Sequence, residues 1–213
     1  MAQTNPEIST STAAPFIQQK LTYEEFLREY DGQYAEYVDS EVIKPMSVTQ
    51  KHDDLTGFLR AALRFYVETK GLGRICGEPY QMKLTLDGKI KGREPDIFFV
   101  KTENFDRVRE QFFDGAADLV VEIVSPESVA RDTQDKFEEY EAAGVKEYWV
   151  IDSNRRTANF YSFDETGKYR LLPISADGQF ESRVIEGLWI KTEWLWQETL
   201  PSLMEVLKEW ELV

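Results

Sequence analysis

Two stretches of this chain are apolar throughout except for one carboxylate each. Asp96 precedes the run Ile-Phe-Phe-Val, and Glu122 interrupts the run from Leu119 to Val124. Apolar runs of this length are typical of strands that are buried inside a sheet. A charged group there is costly unless an ion, a proton or hydrogen bonds compensate it. The sequence therefore predicts a buried sheet that carries two acidic side chains with a chemical role.

A lysine is expected near these carboxylates, although it is not on the same strand. Alternation places Glu122 and Val124 on one face of their strand, so a strand-borne lysine would stand where this chain has valine. Lys136 lies fourteen positions after Glu122, in the first turns of a predicted helix, and its long side chain would reach back over the sheet. In the alternative, Lys136 lies on a solvated helix face and pairs with a neighbour there: Asp132, Glu139 or Tyr140.

Together these three residues indicate hydrolysis of a phosphodiester. Asp96 and Glu122 would hold Mg²⁺ or Mn²⁺, because both metals prefer oxygen ligands. Lys136 would hold a nucleophilic water and offset the negative charge that grows on the scissile phosphate. We therefore interpret Asp96, Glu122 and Lys136 as the catalytic set of a metal-dependent endonuclease. The alternative for Asp96 is a turn carboxylate that caps local backbone.

Three other side chains are candidate accessory groups. Glu78 would supply a further oxygen from a neighbouring strand, or it would lie at an edge in contact with Arg74. His52 is the only histidine; it would orient a water or a phosphate, or serve a structural role, as lone histidines more often do. Glu36 would bind a second metal or the long helix.

The net charge limits how this chain would bind nucleic acid. It has 25 Lys and Arg residues against 39 Asp and Glu residues, which gives a formal charge of −14 at pH 7. So acidic a chain is not expected to coat nucleic acid by bulk electrostatics, and any DNA contact must be local and assisted by metal. Lys89, Lys91 and Arg93 are the candidate phosphate contacts, with solvated turn residues as the alternative.

The order of the predicted elements indicates one mixed α/β (α+β) domain. We expect a flexible arm over residues 1–20 and a single domain over residues 21–213, because a chain of 213 residues fits one substantial core. A strand, a helix and a strand in succession predict a parallel pair with a right-handed crossover, inside a mixed β-sheet flanked by helices. Turn signals predict additional antiparallel strands in the C-terminal half. The predicted helices span residues 22–30, 49–70, 132–143 and 201–210; the predicted central strands span 74–86, 95–100, 118–124 and 147–152, with a turn region at 87–92.

The expected compartment is the cytoplasm. Cys76 is the only cysteine, so no intrachain disulfide is expected, and a reducing compartment fits. Residues 1–20 have neither the basic start nor the apolar stretch of a signal peptide. No later segment approaches the roughly 18 apolar residues that a membrane span needs, so we expect no membrane partner.

The residues around these candidates resemble a known family. The relevant motifs are, in chain order, PD (95–96), EIVSPES (122–128), D-x-x-x-K-x-x-x-Y (132–140) and AGVKEYWVID (143–152). This pattern resembles the Uma-two family of restriction-endonuclease-like proteins, assigned to the PD-(D/E)XK nuclease superfamily, and the resemblance runs from about Leu21 to the C-terminus. It implies a restriction-endonuclease-like core with Asp96, Glu122 and Lys136 as the catalytic set. Glu36 and His52 also fall where family members tend to have Glu and His.

Two other functions remain open from the sequence. A non-catalytic descendant of the fold would bind a protein or nucleic-acid partner, and the charge of −14 and the valine at position 124 favour it. An enzyme for another phosphoester or a small molecule would keep the metal and change the substrate, because a fold does not determine its function. For the nuclease, a homodimer is expected, because exposed strand edges invite pairing and double-strand cleavage needs two sites.

Overall fold

The computed structural model describes residues 20–44, 47–124 and 134–213, which form two large sheets, a two-stranded sheet and four α-helices. Residues 1–19 of the predicted N-terminal arm, and Asp132 at the predicted start of a helix, lie outside these ranges. The helices are α1 (Tyr23–Glu29), α2 (Gln50–Thr69), α3 (Lys136–Ala143) and α4 (Leu203–Glu209), with 3-10 helices at Thr102–Arg107 and Thr192–Leu195. The strands are β1 (Glu36–Val38), β2 (Glu41–Ile43), β3 (Gly73–Cys76), β4 (Gln81–Leu86), β5 (Lys89–Arg93), β6 (Ile97–Lys101), β7 (Phe112–Asp114), β8 (Leu119–Ile123), β9 (Glu147–Asp152), β10 (Thr157–Phe163), β11 (Tyr169–Leu171), β12 (Gln179–Glu181) and β13 (Trp189–Lys191).

A six-stranded sheet forms the centre of the fold, in the order β11-β10-β9-β8-β6-β3. Strands β8 and β9 are parallel, with Leu119 opposite Glu147, and the other neighbours pair antiparallel. Helix α3 lies in the connection between β8 and β9. The expected strand-helix-strand unit inside a mixed sheet is therefore confirmed, as are antiparallel strands in the C-terminal half.

The two faces of the central sheet pack against different partners. Phe99 and Val121 belong to the core that includes the apolar side of α2 and residues of α4. Phe98 and Val124 belong to a second core, which includes residues of β4 and α3. Because successive residues of a strand point to opposite faces, Glu122 shares the α3 face with Val124, as the alternation in the sequence predicts.

Helix α2 covers one face of the central sheet. The hydroxyl of Thr49 accepts a hydrogen bond from the amide of His52 at 3.3 Å and so caps the N-terminus. Apolar residues at helical spacing, from Leu55 to Val67, pack on the sheet. Gly71, with a φ of 66°, follows the last turn, where its left-handed backbone suits the end of a helix. None of the helices in the described ranges is both long and apolar enough to cross a membrane.

A five-stranded sheet, in the order β2-β1-β5-β4-β7, packs beside the second core. The hairpin of β1 and β2 turns through Asp39 and Ser40, whose φ values of 51° and 74° match the tight turn that the right-handed twist of hairpins favours. Helix α1 begins with a capping box formed by Thr22 and Glu25. This sheet brings β1 and β5 to the side of α3, which is decisive for the site described below.

Two predicted boundaries are wrong. The predicted strand over residues 74–86 is divided into β3 and β4, which belong to different sheets. Of the predicted turn region, only Asp87 and Gly88 form a turn, and Lys89–Arg93 forms β5. Strand β5 pairs on both sides, with β1 and β4, and these long-range backbone bonds override the weak local preference of its lysines and glycine for a strand.

Asp118 makes the stability of this fold depend on pH. Its buried carboxylate accepts hydrogen bonds from the amide of Lys101, the amide group of Asn104 and the ammonium of Lys146, each at 2.9 Å. Burial alone would raise the pKa of Asp118, but these three donors outweigh burial and lower it below the usual 3.8. The carboxylate therefore stabilises the fold at neutral pH, and this contribution is lost as the pH falls through the lowered pKa.

We expect Asp118→Asn to lower the free energy of unfolding by about 1–3 kcal/mol at pH 7, because the amide replaces one acceptor oxygen with a donor. The gap between wild type and variant should narrow as the pH falls from about 5 towards 3. Urea unfolding at several pH values measures both quantities. Asp87→Asn, in an exposed turn, is the control; a gap for Asp118→Asn that stays constant with pH would contradict this account.

Candidate active site

Asp96 lies immediately before β6, at the end of the central sheet where the antiparallel β8 finishes. Its Oδ2 accepts a hydrogen bond from the backbone amide of Ile123 at 2.6 Å and lies 3.4 Å from Nε2 of His52. Arg60 of α2 donates a hydrogen bond to the carbonyl oxygen of Asp96. Both the side chain and the backbone of Asp96 are thus held, and its carboxylate is docked on the residue that follows Glu122.

Glu122 is buried on the face of β8 that packs against α3. Its Oε1 accepts hydrogen bonds from Nζ of Lys136 and from the hydroxyl of Tyr140, each at 2.8 Å. Lys136 and Tyr140 are four residues apart on α3, so both point at the same carboxylate. Burial first, and then the charge of Glu122, raise the pKa of Tyr140 well above its usual value, which keeps the hydroxyl protonated as a donor. Lys136 is 2% exposed, so it lies over the sheet and not on a solvated helix face.

A second carboxylate approaches Lys136 from the neighbouring sheet. Oε1 of Glu36, on β1, lies 3.5 Å from Nζ of Lys136, and its Oε2 accepts a hydrogen bond from Arg93 at 2.8 Å. Arg93 also donates two parallel hydrogen bonds, of 2.8 and 2.9 Å, to Glu139 of α3. Burial lowers the pKa of Arg93, but the charges of Glu36 and Glu139 outweigh burial and raise it, so the guanidinium stays charged. A continuous series of ion pairs therefore joins β5, β1, α3 and β8.

His52 and Glu78 border Asp96 on its other side. Besides Asp96, the buried His52 ring contacts the hydroxyl of Thr56, with 3.4 Å between Nδ1 and Oγ1. Burial lowers the pKa of His52, but its hydrogen bond to Asp96 and the charges of Asp96 and Glu78 outweigh burial and raise it. Glu78 is half-buried in the loop between β3 and β4, where burial and the charge of Asp96 raise its pKa. The fold thus brings two of the three predicted accessory groups, His52 and Glu78, to Asp96, and the third, Glu36, to Lys136.

The three predicted phosphate contacts occupy very different environments. The side chain of Lys89 is 66% exposed, with Nζ 3.7 Å from Asp39. Lys91 is 14% exposed and lies between Asp39, at 3.3 Å, and Glu139, at 3.1 Å. Arg93 is 3% exposed, and its guanidinium is bonded to carboxylates. A phosphate contact by Arg93 therefore does not fit the structure, because Arg93 is an internal ion-pair partner.

The donor set of Asp96 and Glu122 fits a hard divalent cation. Within the described residues, no group of three or more His, Cys, Asp or Glu side chains is arranged to hold a metal ion. Mg²⁺, however, is usually bound by one or two carboxylates together with water and substrate phosphate, and not by a cage made of protein alone. In the described ranges Oδ1 of Asp96 accepts no hydrogen bond, and both carboxylates offer only oxygen. The pair therefore matches the ligand preference of Mg²⁺ and Mn²⁺.

Three residues of this site were not assigned these contacts from the sequence. Tyr140 carries a detectable signal, because its spacing of four from Lys136 puts both on one helix face. Arg60 carries a similar signal, because it lies two helical turns after His52 on α2. Glu139 carries no such signal, because it lies on α3 while its partner Arg93 lies on β5 of the five-stranded sheet. Only the packing of that sheet against α3 brings the two residues together.

Gly77 permits the close approach of Asp96 to α2. A Cβ atom at this position would overlap the carbonyl oxygen of Asp96 and the guanidinium of Arg60. We expect Gly77→Ala to lower the free energy of unfolding by about 1–3 kcal/mol, because the backbone next to Asp96 must move. Gly57→Ala, in α2, where a Cβ would meet nothing within 4 Å, should instead stabilise by about 0.5–1 kcal/mol. Thermal and urea unfolding measure both changes, and a neutral Gly77→Ala would contradict this packing.

Comparison with solved structures and curated proteins places this fold among known ones. The fold is similar to a crystal structure from Anabaena variabilis that is described as a putative nuclease belonging to DUF820, with a TM-score of 0.65 and 18% sequence identity. The alignment covers 82% of this chain and 97% of that chain. No curated protein matches the chain. The similarity confirms the expected fold class, a mixed α/β fold with a restriction-endonuclease-like core.

A protein-family comparison extends this result to the sequence. Residues 22–193 match the family Uma2, whose description is "Putative restriction endonuclease". The matched range contains Asp96, Glu122 and Lys136, together with Glu36 and His52. Because the match spans most of the chain, this protein belongs to the Uma2 family.

Proposed function

We propose that this protein is a metal-dependent endonuclease that hydrolyses phosphodiester bonds of nucleic acid, with DNA as its substrate. One observation carries the proposal: Asp96 is hydrogen-bonded to the amide next to Glu122, and Glu122 is bonded to Lys136. Two oxygen ligands and one cation therefore converge at one end of the central sheet. Membership of a family described as putative restriction endonucleases supports this choice.

Each residue of the site has a defined task in this proposal. Lys136 holds the attacking water and offsets, as a point charge, the negative charge that grows on the phosphate. The hydroxyl of Tyr140 donates a hydrogen bond to Glu122 and fixes the orientation of that carboxylate. His52, with its pKa raised by Asp96, lies against Oδ2 and fixes the second carboxylate.

The proposed cofactor is Mg²⁺ or Mn²⁺, held by Asp96 and Glu122. Such an ion supplies a water of lowered pKa and a Lewis acid for a phosphate oxygen. The chain supplies orientation: the amide of Ile123 holds Asp96, and Lys136 and Tyr140 hold Glu122. Glu78 and Glu36 lie around this pair as accessory carboxylates.

The charge of the chain favours a local contact with its substrate. At a formal charge of −14, binding of DNA would depend on the metal and on few cations, of which Lys89 is exposed and Lys91 is partly exposed.

We also propose a homodimer in the cytoplasm, joined at the edge strand β11, where Leu171 is 61% exposed. Light scattering of the purified protein measures the mass in solution, and a monomer would refute the dimer.

Cleavage of supercoiled plasmid and of single-stranded DNA, with Mg²⁺ or Mn²⁺ and with EDTA, tests the proposed function. We expect cleavage that requires metal and is lost in Asp96→Asn and Glu122→Gln, because each variant removes one charged ligand oxygen. Asp87→Asn makes the same chemical change in an exposed turn and should cut like wild type.

Folded wild-type protein that never cuts either substrate would refute the nuclease. Binding of DNA without cleavage would then favour the non-catalytic binding module. Metal-dependent release of phosphate from small phosphoesters would favour the third function.

A further inference from the structure

Arg93 occupies a position between the two sheets and α3 that no surface role explains. Its side chain is 3% exposed. Nε and one terminal nitrogen donate to the two oxygens of Glu139, and the other terminal nitrogen donates to Glu36. Parallel bonds of this kind define both the distance and the plane of the two groups. Arg93 thus connects a strand, β5, to α3 and to β1 at once.

We infer that Arg93 is a positioning residue that holds Lys136 against Glu122. The effect on rate rests on the proposed nuclease function, but the placement itself does not. Two routes lead from Arg93 to Lys136. One passes through Glu139, which is three residues after Lys136 on the first turn of α3. The other passes through Glu36, whose Oε1 lies 3.5 Å from Nζ of Lys136.

The placement of α3 depends on these contacts because the helix is short. Among the described residues, a π-helical turn at 134–135 runs directly into the eight residues of α3, and the side chain of Asp135 makes no capping hydrogen bond. At such a length tertiary contacts, and not helix propensity, hold a helix in place. Strand β5, by contrast, is paired on both sides, with β1 and β4. Arg93 therefore anchors the short helix to a rigid strand.

Arginine is required at this position by its geometry. A guanidinium presents several donors in one plane and satisfies Glu139 and Glu36 together, whereas a lysine ammonium acts as a point charge. Lys91, two residues earlier on the same face of β5, lies 3.1 Å from Glu139 but cannot supply the two parallel hydrogen bonds of the guanidinium. Replacing Arg93 with lysine therefore keeps the charge but removes the simultaneous hydrogen bonds to Glu139 and Glu36.

Kinetics and DNA binding of Arg93→Lys separate a positioning role from a phosphate contact. If Arg93 positions Lys136, kcat should fall at least about tenfold, because a shift of about 1 Å in a catalytic group is costly. KM, the Kd for DNA with Ca²⁺ in place of Mg²⁺, and the salt dependence of that Kd should stay unchanged. If Arg93 contacts phosphate, Kd should rise, because lysine loses the bidentate contact, while the slope of log Kd against log salt should change little, because lysine keeps the charge. Arg64→Lys, in the exposed pair with Glu68, is the matched control and should change none of these.

A readout that does not need cleavage tests the placement of Lys136 directly. Mass spectrometry after brief acetylation reports how fast the Lys136 amine reacts. We expect faster labelling of Lys136 in Arg93→Lys than in wild type, with Lys168, an exposed lysine, labelled equally in both. Glu139→Gln weakens the same pair of hydrogen bonds from the α3 side, and we expect faster labelling of Lys136 in this variant too. It serves as the test if Arg93→Lys does not fold.

These measurements distinguish the two proposals. Wild-type protein that does not cut, combined with faster labelling of Lys136 in either variant, would refute the nuclease and support the positioning role. Unchanged labelling of Lys136 in folded Arg93→Lys and Glu139→Gln would overturn the inference, and so would weaker DNA binding with an unchanged kcat.

Discussion

Replacing Lys136 with methionine is expected to slow metal-dependent cleavage, with a loss of about 100- to 1000-fold in kcat. The reason is electrostatic. Nζ of Lys136 lies 2.8 Å from Oε1 of Glu122 and 3.5 Å from Oε1 of Glu36, and the side chain of Lys136 is 3% exposed. The position of Val124 carries no lysine that could replace it, so in the proposed mechanism the charge that grows on the phosphate loses the cation that offsets it. Plasmid cleavage under single-turnover conditions measures the loss.

Folding must be separated from chemistry in this experiment. Methionine leaves Glu122 facing Glu36 without the ammonium between them, and removal of one partner of a buried ion pair costs about 3–5 kcal/mol. Lys136→Arg keeps the charge and is the second variant. We expect it to unfold near the wild-type temperature and to cut at least about tenfold more slowly, because a planar guanidinium does not place its charge where the ammonium lies. Wild-type cleavage by Lys136→Met would remove Lys136 from the mechanism.

Replacing Glu147 with leucine is expected to lower the free energy of unfolding by about 3–5 kcal/mol. Glu147 is fully buried at the start of β9. Its carboxylate accepts hydrogen bonds from Nε1 of Trp149 at 2.6 Å and from the amides of Arg183 and Val184 at 2.7 and 3.2 Å. It therefore ties the segment that leads to β13 to the central sheet. Leucine would leave the buried indole N–H of Trp149 and the amide of Arg183 without this acceptor, while the amide of Val184 would keep its bond to the hydroxyl of Ser182.

Urea unfolding of Glu147→Leu measures this loss. Glu147→Gln keeps one acceptor oxygen and should cost less than the leucine variant. Glu181→Leu, at an exposed position of β12, should change the free energy of unfolding by no more than about 0.5 kcal/mol. A loss below about 1 kcal/mol for Glu147→Leu would mean that water satisfies these donors, and the proposed tie would then be wrong.

Local patterns in the sequence account for much of the fold. The helical spacing from Leu55 to Val67 predicts α2, and the apolar runs around Asp96 and Glu122 predict β6 and β8. The division of residues 74–86 between two sheets was not predictable in this way, nor was β5. Both depend on which distant strand supplies the backbone partners, and no window of neighbouring residues contains that information.

The site shows the same division between local and long-range information. The cost of burying a charge is a property of the local sequence, so Asp96 and Glu122 stand out before any fold is known. The valine at position 124 likewise directs attention to Lys136. The catalytic assignment of these residues remains a prediction until the variants are measured.

The sequence by itself determined the candidate carboxylates, the displaced lysine and the strand-helix-strand unit that carries them, because periodicity and the cost of burying charge are local properties. Only the tertiary structure decided the partners: Asp96 on the amide of Ile123, Glu122 on Lys136 and Tyr140, and Arg93 between Glu36 and Glu139. The basic stretch that contains Arg93 predicts an exposed cation, but the packing of β5 against α3 buries its side chain. An ion pair between residues 46 positions apart depends on how two sheets and a helix pack, and that packing is set by the whole core.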